Sequence, residues 1–191
     1  KNSLMIIIGV IVGIIIIFKA YQNFYIAPLE QEAQIEMYMA ELYFQKDSFN
    51  TALNGDGQYL GFLDIVDDYS STKVGMLANY YTGLCYLNID DFENAIDYFN
   101  SFSSDDIILS TLAIGCTGDA YLELGNKKKA ISYYKDAIDN SFNNFTTPRF
   151  MMKLAYIYES NGEFENALEI FKTIKLEFSE SKEASGIDKF I

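Results

Sequence analysis

The side chains in this sequence that could perform chemistry are carboxylates and two cysteines, because the chain contains no histidine. Histidine is the usual acid–base group and metal ligand near neutral pH. Cys85 and Cys116 do not form a C-x-x-C pair, so their spacing predicts neither a zinc site nor a redox motif. Buried, apolar surroundings are the simpler interpretation of both thiols. We therefore expect no catalytic residues, no metal site, no cofactor and no enzymatic activity.

One acidic cluster has some features of a calcium-binding loop. Asn54 and Asp56 are suitable ligand types, but the sixth position of such a loop is Tyr59 where Gly is needed, and the twelfth is Ile65 where Glu is needed. A bent or extended helix is the better interpretation of this segment. Other clusters, such as Asp105-Asp106, are explained by solvated helix faces and helix starts.

The longest apolar segment runs from Leu4 to Phe18 and contains no charged or polar side chain. Lipid suits such a segment, since a helix satisfies its backbone groups internally. Fifteen helical residues reach only about 22 Å, less than the roughly 30 Å hydrocarbon core of a bilayer. We therefore predict a transmembrane helix of about 24 residues, from Ser3 to Ile26, with Lys19 reaching the interface along its own stem.

Two other interpretations of this segment are weaker. A secretory signal peptide needs small residues two positions apart before its cleavage point, and the sequence after Phe18 offers no such pair. A buried core helix would need apolar neighbours that the remaining segments do not supply. Pro28 marks a point where the helix can kink or restart. Because the chain begins with Lys1 rather than methionine, we expect that further sequence precedes it.

The charges outside the apolar segment constrain both partners and orientation. Residues 27–191 contain 12 Lys+Arg and 27 Asp+Glu, a net charge of −15. Such a surface repels phosphate groups, which argues against nucleic acid or anionic lipid as a partner. No Lys or Arg occurs between Lys19 and Lys46, whereas cytoplasmic flanks are enriched in both. We therefore expect a cytoplasmic N-terminus, with the acidic domain outside the cytoplasm.

Beyond the membrane segment, a helical pattern of about 35 residues occurs three times. Each copy has a small residue, an aromatic residue three positions later, a turn, an alanine and an aromatic residue four positions after that. The three copies are Gly83–Tyr86 with Ala95–Phe99, Gly118–Tyr121 with Ala130–Tyr134, and Ala155–Tyr158 with Ala167–Phe171. The turns between the paired segments are Asp90-Asp91, Gly125-Asn126 and Asn161-Gly162.

This pattern resembles the tetratricopeptide repeat, in which antiparallel helix pairs stack into a solenoid. The small residues at 83, 118 and 155 are expected to face the alanines at 95, 130 and 167, because larger side chains would hold the helices apart. The predicted fold is therefore all-α: a single N-terminal transmembrane helix followed by a tetratricopeptide-repeat α-solenoid of about four helix pairs.

The predicted domains are a transmembrane anchor at residues 1–27 and a repeat domain at residues 28–191. Repeats are expected near 33–75, 76–110, 111–147 and 148–181, with a C-terminal cap at 182–191. The first repeat is 43 residues long, because the segment from Asn54 to Tyr59 interrupts its second helix. Such an atypical terminal repeat is common in solenoids.

The resemblance also implies which residues line the concave surface, where such domains bind polypeptide segments. Carried onto this sequence, they are Met37, Phe44, Tyr80, Leu84, Leu87, Asp119, Leu122, Glu123, Met152 and Tyr156, together with Glu41, Leu77, Leu112 and Glu159. This surface is apolar and acidic, with almost no basic residue beyond Arg149, so it does not suit acidic chaperone tails. Some of these positions can instead be core residues, since an apolar helix face is more often core than ligand site.

An anchor joined to an acidic repeat domain resembles the YfgM-like family of bacterial inner-membrane proteins. The resemblance implies a periplasmic repeat domain and an accessory role at the SecYEG translocon, beside a membrane-anchored periplasmic chaperone or prolyl isomerase and emerging polypeptides. Gly9 and Gly13 form a G-x-x-x-G motif, which would let the anchor contact another membrane helix closely. The alternative is a structural scaffold or assembly factor of another envelope complex for secretion, motility or division.

Overall fold

The computed structural model describes residues 2–191, with side chains described from Met5 onward except that of Ile6. Lys1, one of the two lysines that flank the apolar segment, lies outside the described residues, as do the side chains of Ser3 and Leu4. All regular elements within residues 2–191 are helical, which confirms the predicted all-α class. The chain divides into two compact units, Lys1–Ala78 and Asn79–Ile191, which we call the N-terminal and C-terminal units.

The N-terminal unit begins with one uninterrupted helical rod. Helix α1 (Asn2–Tyr21) leads into a π-helical turn (Gln22–Ile26) and then into α2 (Ala27–Gln45). The N–H of Ala27 donates to the carbonyl of Gln22, five residues earlier. Pro28 has no N–H to donate, and the wider π turn just before it lets the helix continue without a restart.

The first part of this rod has the composition of a membrane span. Within the described residues, one helical segment, Ile7–Gln45, is long and apolar enough to cross a membrane. Its apolar side chains face outward in the structure; Ile17, for example, is 71% exposed and Phe18 58% exposed. The sequence-based prediction of a membrane-competent N-terminal helix is confirmed to that extent.

The second part of the rod carries the core of the N-terminal unit. Helix α2 packs against α3 (Phe49–Asn54) and α4 (Phe62–Asp68). The buried apolar side chains of these three helices are Ala33, Met37, Ala40, Ala52, Leu53, Phe62 and Ile65. The small alanines of α2 allow the short helices to approach closely.

Residues 55–61 form a loop between α3 and α4, so the helix that was expected to be bent or extended here is split in two. Asp56 organises this loop: its Oδ2 accepts a hydrogen bond from the hydroxyl of Tyr43 at 2.7 Å. Its Oδ1 accepts from the backbone N–H groups of Gln58 and Tyr59 at 2.9 and 2.8 Å. The carboxylate is thus occupied by the protein itself, and no group of three potential ligands occurs among the described side chains.

The C-terminal unit is built from consecutive helices, each packed on the next. The boundary between the two units falls within α5 (Lys73–Asn88). The helices that follow are α6 (Phe92–Ser101), α7 (Ile107–Glu123), α8 (Lys127–Asn140), α9 (Thr147–Ser160) and α10 (Phe164–Glu177), with a short 3₁₀ helix at Ile187–Phe190. Neighbour-on-neighbour packing is the arrangement of a helical solenoid.

Tight turns and close helix contacts define the hairpins of this unit. Gly125 has a φ of 73°, which is the left-handed conformation that ends a helix, and Asn126 then caps α8 by accepting from the N–H of Lys129. A Cβ added at Gly118 would lie 2.7 Å from the ring of Tyr134. The nearest group to this glycine is therefore the aromatic ring one turn beyond the expected Ala130, which allows α7 and α8 to pack in contact.

The segment after α10 folds back onto the end of the unit. Ile187 is 2% exposed and packs with Phe171, Ile174 and Phe178. Phe190 stacks on Phe171 with ring centroids 4.9 Å apart. The segment therefore covers apolar surface that the last repeat would otherwise leave in water.

Candidate functional site

A groove of about 620 Å³ lies in the C-terminal unit, and most of its lining residues come from α7 and α9, each the first helix of a helix pair. We call it the α7–α9 groove. Its lining residues are Leu87, Asp90, Phe92, Asp119, Leu122, Glu123, Tyr134, Lys153, Tyr156, Ile157 and Ser160. Helix periodicity explains the members of this set that lie on α7 and α9, because positions three, four and seven apart share one face of a helix. Successive hairpins present equivalent faces to the same side, which creates one continuous surface.

Asp119 is the central polar group of the groove. The hydroxyl of Tyr134 donates to Asp119 Oδ1 at 2.6 Å, and the ammonium of Lys153 donates to the same oxygen. The side chain of Asp119 is 18% exposed and that of Lys153 is 32% exposed. Asp119 Oδ2 accepts no hydrogen bond from the described residues, so the carboxylate retains capacity to bind a further donor.

Tyr134 holds Asp119 in place as a neutral donor. Its side chain is 1% exposed, and burial raises the pKa of its hydroxyl well above the usual value, with the charge of Asp119 raising it further. Loss of the proton would place two negative charges in contact within the apolar interior. The hydrogen bond is therefore present throughout the physiological pH range.

The electrostatic balance of the groove is negative. Asp90, Asp119 and Glu123 contribute carboxylates, and Lys153 is the single basic residue of the lining. Apolar walls between these charges, including Leu122 and Ile157, strengthen electrostatic interactions by excluding water. Such a surface favours a ligand with apolar side chains and positive charge.

The structure gathers five of the fourteen predicted groove residues into this site. Leu87, Asp119, Leu122, Glu123 and Tyr156 line the α7–α9 groove, and Tyr156 is 44% exposed there. Glu41, Leu77, Leu112 and Glu159, which the resemblance also implied, are not among the lining residues.

The other predicted residues lie elsewhere in the fold. Tyr80 and Met152 are each only 9% exposed; Tyr80 packs against Phe102 with ring centroids 5.4 Å apart, and Met152 belongs to the core around α10. These two side chains are covered by neighbouring helices, so the structure assigns them to packing. Leu84 is half-buried and does not line the groove.

Two further predicted residues, Met37 and Phe44, belong to the N-terminal unit. Met37 is 3% exposed in its core. Phe44 makes edge-to-face contacts with Phe49 and Phe62, at centroid distances of 5.6 and 6.4 Å. Both side chains contribute to packing between α2 and the short helices α3 and α4.

The basic residue of the groove lining, Lys153, was not predicted from the sequence. Arg149 was expected to be the basic residue of the surface, but it is absent from the groove lining. Lys153 follows Asp119 by 34 positions, about one repeat period. Equivalent positions on successive first helices lie side by side in a solenoid, so this spacing was a usable signal for the ion pair.

Both cysteines are buried and free. Burial raises the pKa of Cys85 to about 12 and that of Cys116 to about 12. A thiol with such a pKa is protonated and unreactive at neutral pH. Both residues therefore act as small packing groups.

Comparison with known families identifies the repeats. Residues 77–105 and residues 117–180 each match a family model described as tetratricopeptide repeat. These two segments are tetratricopeptide repeats. Domains of this kind bind protein or peptide partners, and neither match indicates an enzyme. No curated protein matches the chain.

Proposed function

We propose that this protein is a membrane-anchored protein-interaction module whose α7–α9 groove binds a polypeptide segment. The observation that carries the proposal is the groove itself, which combines apolar walls with a carboxylate, Asp119, that has an unused acceptor oxygen. Apolar walls suit the side chains of a bound segment, and fixed polar groups set its register. The activity is binding without chemical conversion.

The anchor in this proposal is the helix predicted from Ser3 to Ile26. Its support is the length and apolar composition of the segment and the outward-facing side chains around it. The absence of Lys and Arg between Lys19 and Lys46 favours a cytoplasmic N-terminus with the repeats in the periplasm of a bacterial cell. A Cβ added at Gly9 or Gly13 would contact nothing within 4 Å outside its own helix backbone among the described residues, so the two glycines offer a flat surface for a neighbouring membrane helix.

We further propose that the chain is an accessory subunit of the SecYEG translocon. Its partners would be a membrane-anchored periplasmic chaperone or prolyl isomerase and polypeptides as they emerge. The support is the resemblance of an anchor plus an acidic repeat domain to the YfgM-like family, together with a groove suited to polypeptide. In this role, α1 contacts translocon helices and the groove holds the periplasmic partner.

Purification of the tagged full chain from its host in mild detergent, followed by mass spectrometry of companions, tests the proposal. Glu123→Lys reverses an exposed groove charge, and Glu165→Lys makes the same change on α10 outside the groove. We expect periplasmic companions to be lost from the first variant and retained by the second. Enrichment of another envelope complex without Sec subunits would instead favour the scaffold role, and the absence of any companion would contradict both.

A second experiment separates the anchor from the groove. Replacing Gly9 and Gly13 by isoleucine keeps the segment apolar but blocks close helix contact, so Sec subunits should be lost while groove companions remain. A topology reporter that works only in the periplasm should be active when fused after Ile191, and one that works only in the cytoplasm should be inactive there. Activity of the cytoplasmic reporter would overturn the proposed orientation.

A further inference from the structure

The α7–α9 groove already holds a cation, supplied by the protein itself. Lys153 donates to Asp119 Oδ1 while Tyr134 donates to the same oxygen from the buried side. Lys153 and Asp119 stand on successive first helices, α9 and α7, and both side chains are partly exposed. The pair thus lies at the surface that a bound polypeptide would contact.

We propose that the groove recognises a Lys or Arg side chain of its polypeptide ligand, and that this cation replaces Lys153 on Asp119. This inference rests on the proposed function, since it names the chemistry of the segment that the groove binds. Lys153 is then a placeholder that keeps Asp119 neutralised while the groove is empty. The neighbouring apolar side chains receive the residues that flank the ligand cation.

Exchange of the two cations is favourable for three reasons. Lys153 is 32% exposed, so its ammonium regains water when it is released, while the ligand cation takes over its charge interaction with Asp119. Tyr134 continues to donate to Asp119 Oδ1 and keeps the carboxylate oriented. A guanidinium can engage both carboxylate oxygens at once, which includes the Oδ2 that no described residue uses.

The charge of the groove also selects a cationic ligand over an anionic one. Once Lys153 has turned away, Asp90, Asp119 and Glu123 leave the lining with three carboxylates and no facing cation. An acidic segment would be repelled, and a neutral segment that displaced Lys153 would leave Asp119 without a cation in a partly dry site. Positive charge on the ligand is therefore the feature that the groove discriminates.

The proposal makes opposite predictions for the two members of one ion pair. Lys153→Met removes the competing cation and should tighten binding about two- to fivefold. Asp119→Asn keeps the acceptor for Tyr134 but removes the negative charge, and should weaken binding about tenfold. If the pair were only structural, both substitutions would act in the same direction.

Fluorescence anisotropy on the full chain in detergent micelles tests this prediction. The probe is a labelled pool of nonapeptides with Arg fixed at the centre and the other positions randomised; a second pool carries Gln at the centre. The matched controls, Lys172→Met and Asp139→Asn, make the same charge changes at exposed positions outside the groove. We expect the wild type to prefer the Arg pool about tenfold and the two controls to behave as wild type.

Different results would overturn the cation exchange and the binding of a polypeptide by the groove. Equal binding of the two pools, unaffected by Asp119→Asn, would overturn the cation exchange but leave groove binding intact. Weaker binding by Lys153→Met would make Lys153 a ligand contact and would also overturn the exchange. Failure of both pools to bind the wild type would overturn the proposed function as well. Circular dichroism checks folding of each variant, and Glu123→Gln provides a second groove variant if Asp119→Asn unfolds.

Discussion

The carboxylate of Glu30 caps a helix that begins 43 positions later in the chain: its Oε2 accepts a hydrogen bond from the backbone N–H of Lys73 at 2.7 Å. Lys73 is the first residue of α5, where the leading N–H groups of a helix have no partner within it. Negative charge at this end also interacts favourably with the helix dipole. The start of α5 is thus fixed by the helix that continues from the apolar segment.

Glu30→Ala should expose this helix start. We expect a loss of about 1 kcal/mol in the free energy of unfolding, the usual effect of removing a capping side chain. Hydrogen exchange should quicken at residues 73–76 and stay unchanged in α10. Glu177→Ala, an exposed carboxylate outside the N-terminal unit, serves as the control, and equal effects of the two substitutions would contradict the cap.

Tyr134→Phe should separate the packing role of the ring from the role of its hydroxyl. The ring remains stacked near Phe150, at a centroid distance of 6.1 Å, while Asp119 loses its buried donor. We expect a loss of about 1 kcal/mol in urea denaturation. Tyr38→Phe, which changes a 64% exposed residue, should have no measurable effect. An unchanged free energy of unfolding in Tyr134→Phe would contradict a stabilising hydrogen bond between this hydroxyl and Asp119.

The Asp56 loop should make stability depend on pH at its acidic end. The hydroxyl of Tyr43, with the N–H groups of Tyr59 and Gln58, holds the pKa of Asp56 below its usual 3.8. A lowered pKa gives stability that is present above about pH 4 and disappears as pH falls through the folded-state value. Asp56→Asn should therefore unfold more readily than the wild type at pH 7, and the difference should shrink as pH falls below about 4, as measured by denaturation at a series of pH values.

The same hydrogen bond gives a prediction at alkaline pH. It raises the pKa of Tyr43 above its usual 10.0, so the contribution of this residue is complete below pH 10 and is lost as pH rises through the folded-state value. Tyr43→Phe should weaken this alkaline dependence but leave the part that comes from other tyrosines with a raised pKa, such as Tyr134. An alkaline dependence identical to that of the wild type would show that Tyr43 does not contribute to it.

The two thiols should resist alkylation until the protein unfolds. With the pKa of Cys85 and Cys116 at about 12, the thiolate fraction at pH 8 is on the order of a thousandfold below that of an ordinary cysteine. Iodoacetamide treatment followed by mass spectrometry should find both thiols unmodified in the native protein and modified in urea. Ser104→Cys, at an exposed loop position, provides a reactive internal standard, and modification of Cys85 at the same rate would contradict its burial.

The sequence predicts the helical class and the repeats of this protein well, because both depend on local periodicity. Gly118 and Tyr134 stand at repeat offsets, and these offsets place them on the faces that meet between α7 and α8. The groove is harder to predict, because the exposure of a helix face depends on which neighbour covers it. Tyr80 and Met152 match the offsets of groove residues, yet adjacent helices bury them.

Interactions between helices are the part that residue patterns leave open. Glu30 has no sequence neighbour that indicates Lys73 as its partner. The π-helical turn before Pro28 is a further case, since a proline predicts a missing hydrogen bond but not how the backbone adapts. Lys153 is partly predictable. The repeat period indicates that it lies beside Asp119, but it does not indicate which of these two side chains contacts a ligand.

The unbroken rod from Asn2 to Gln45 has a mechanical consequence. A domain joined to its anchor by a flexible loop would turn freely, but here the helix that contains the apolar segment also contains Ala33 and Met37 of the domain core. Rotation or tilt of the apolar part is therefore transmitted through the continuous helix to α3 and α4, which pack against its other end. A neighbouring membrane helix that tilts α1 would thereby exert torque on α3 and α4 without touching them.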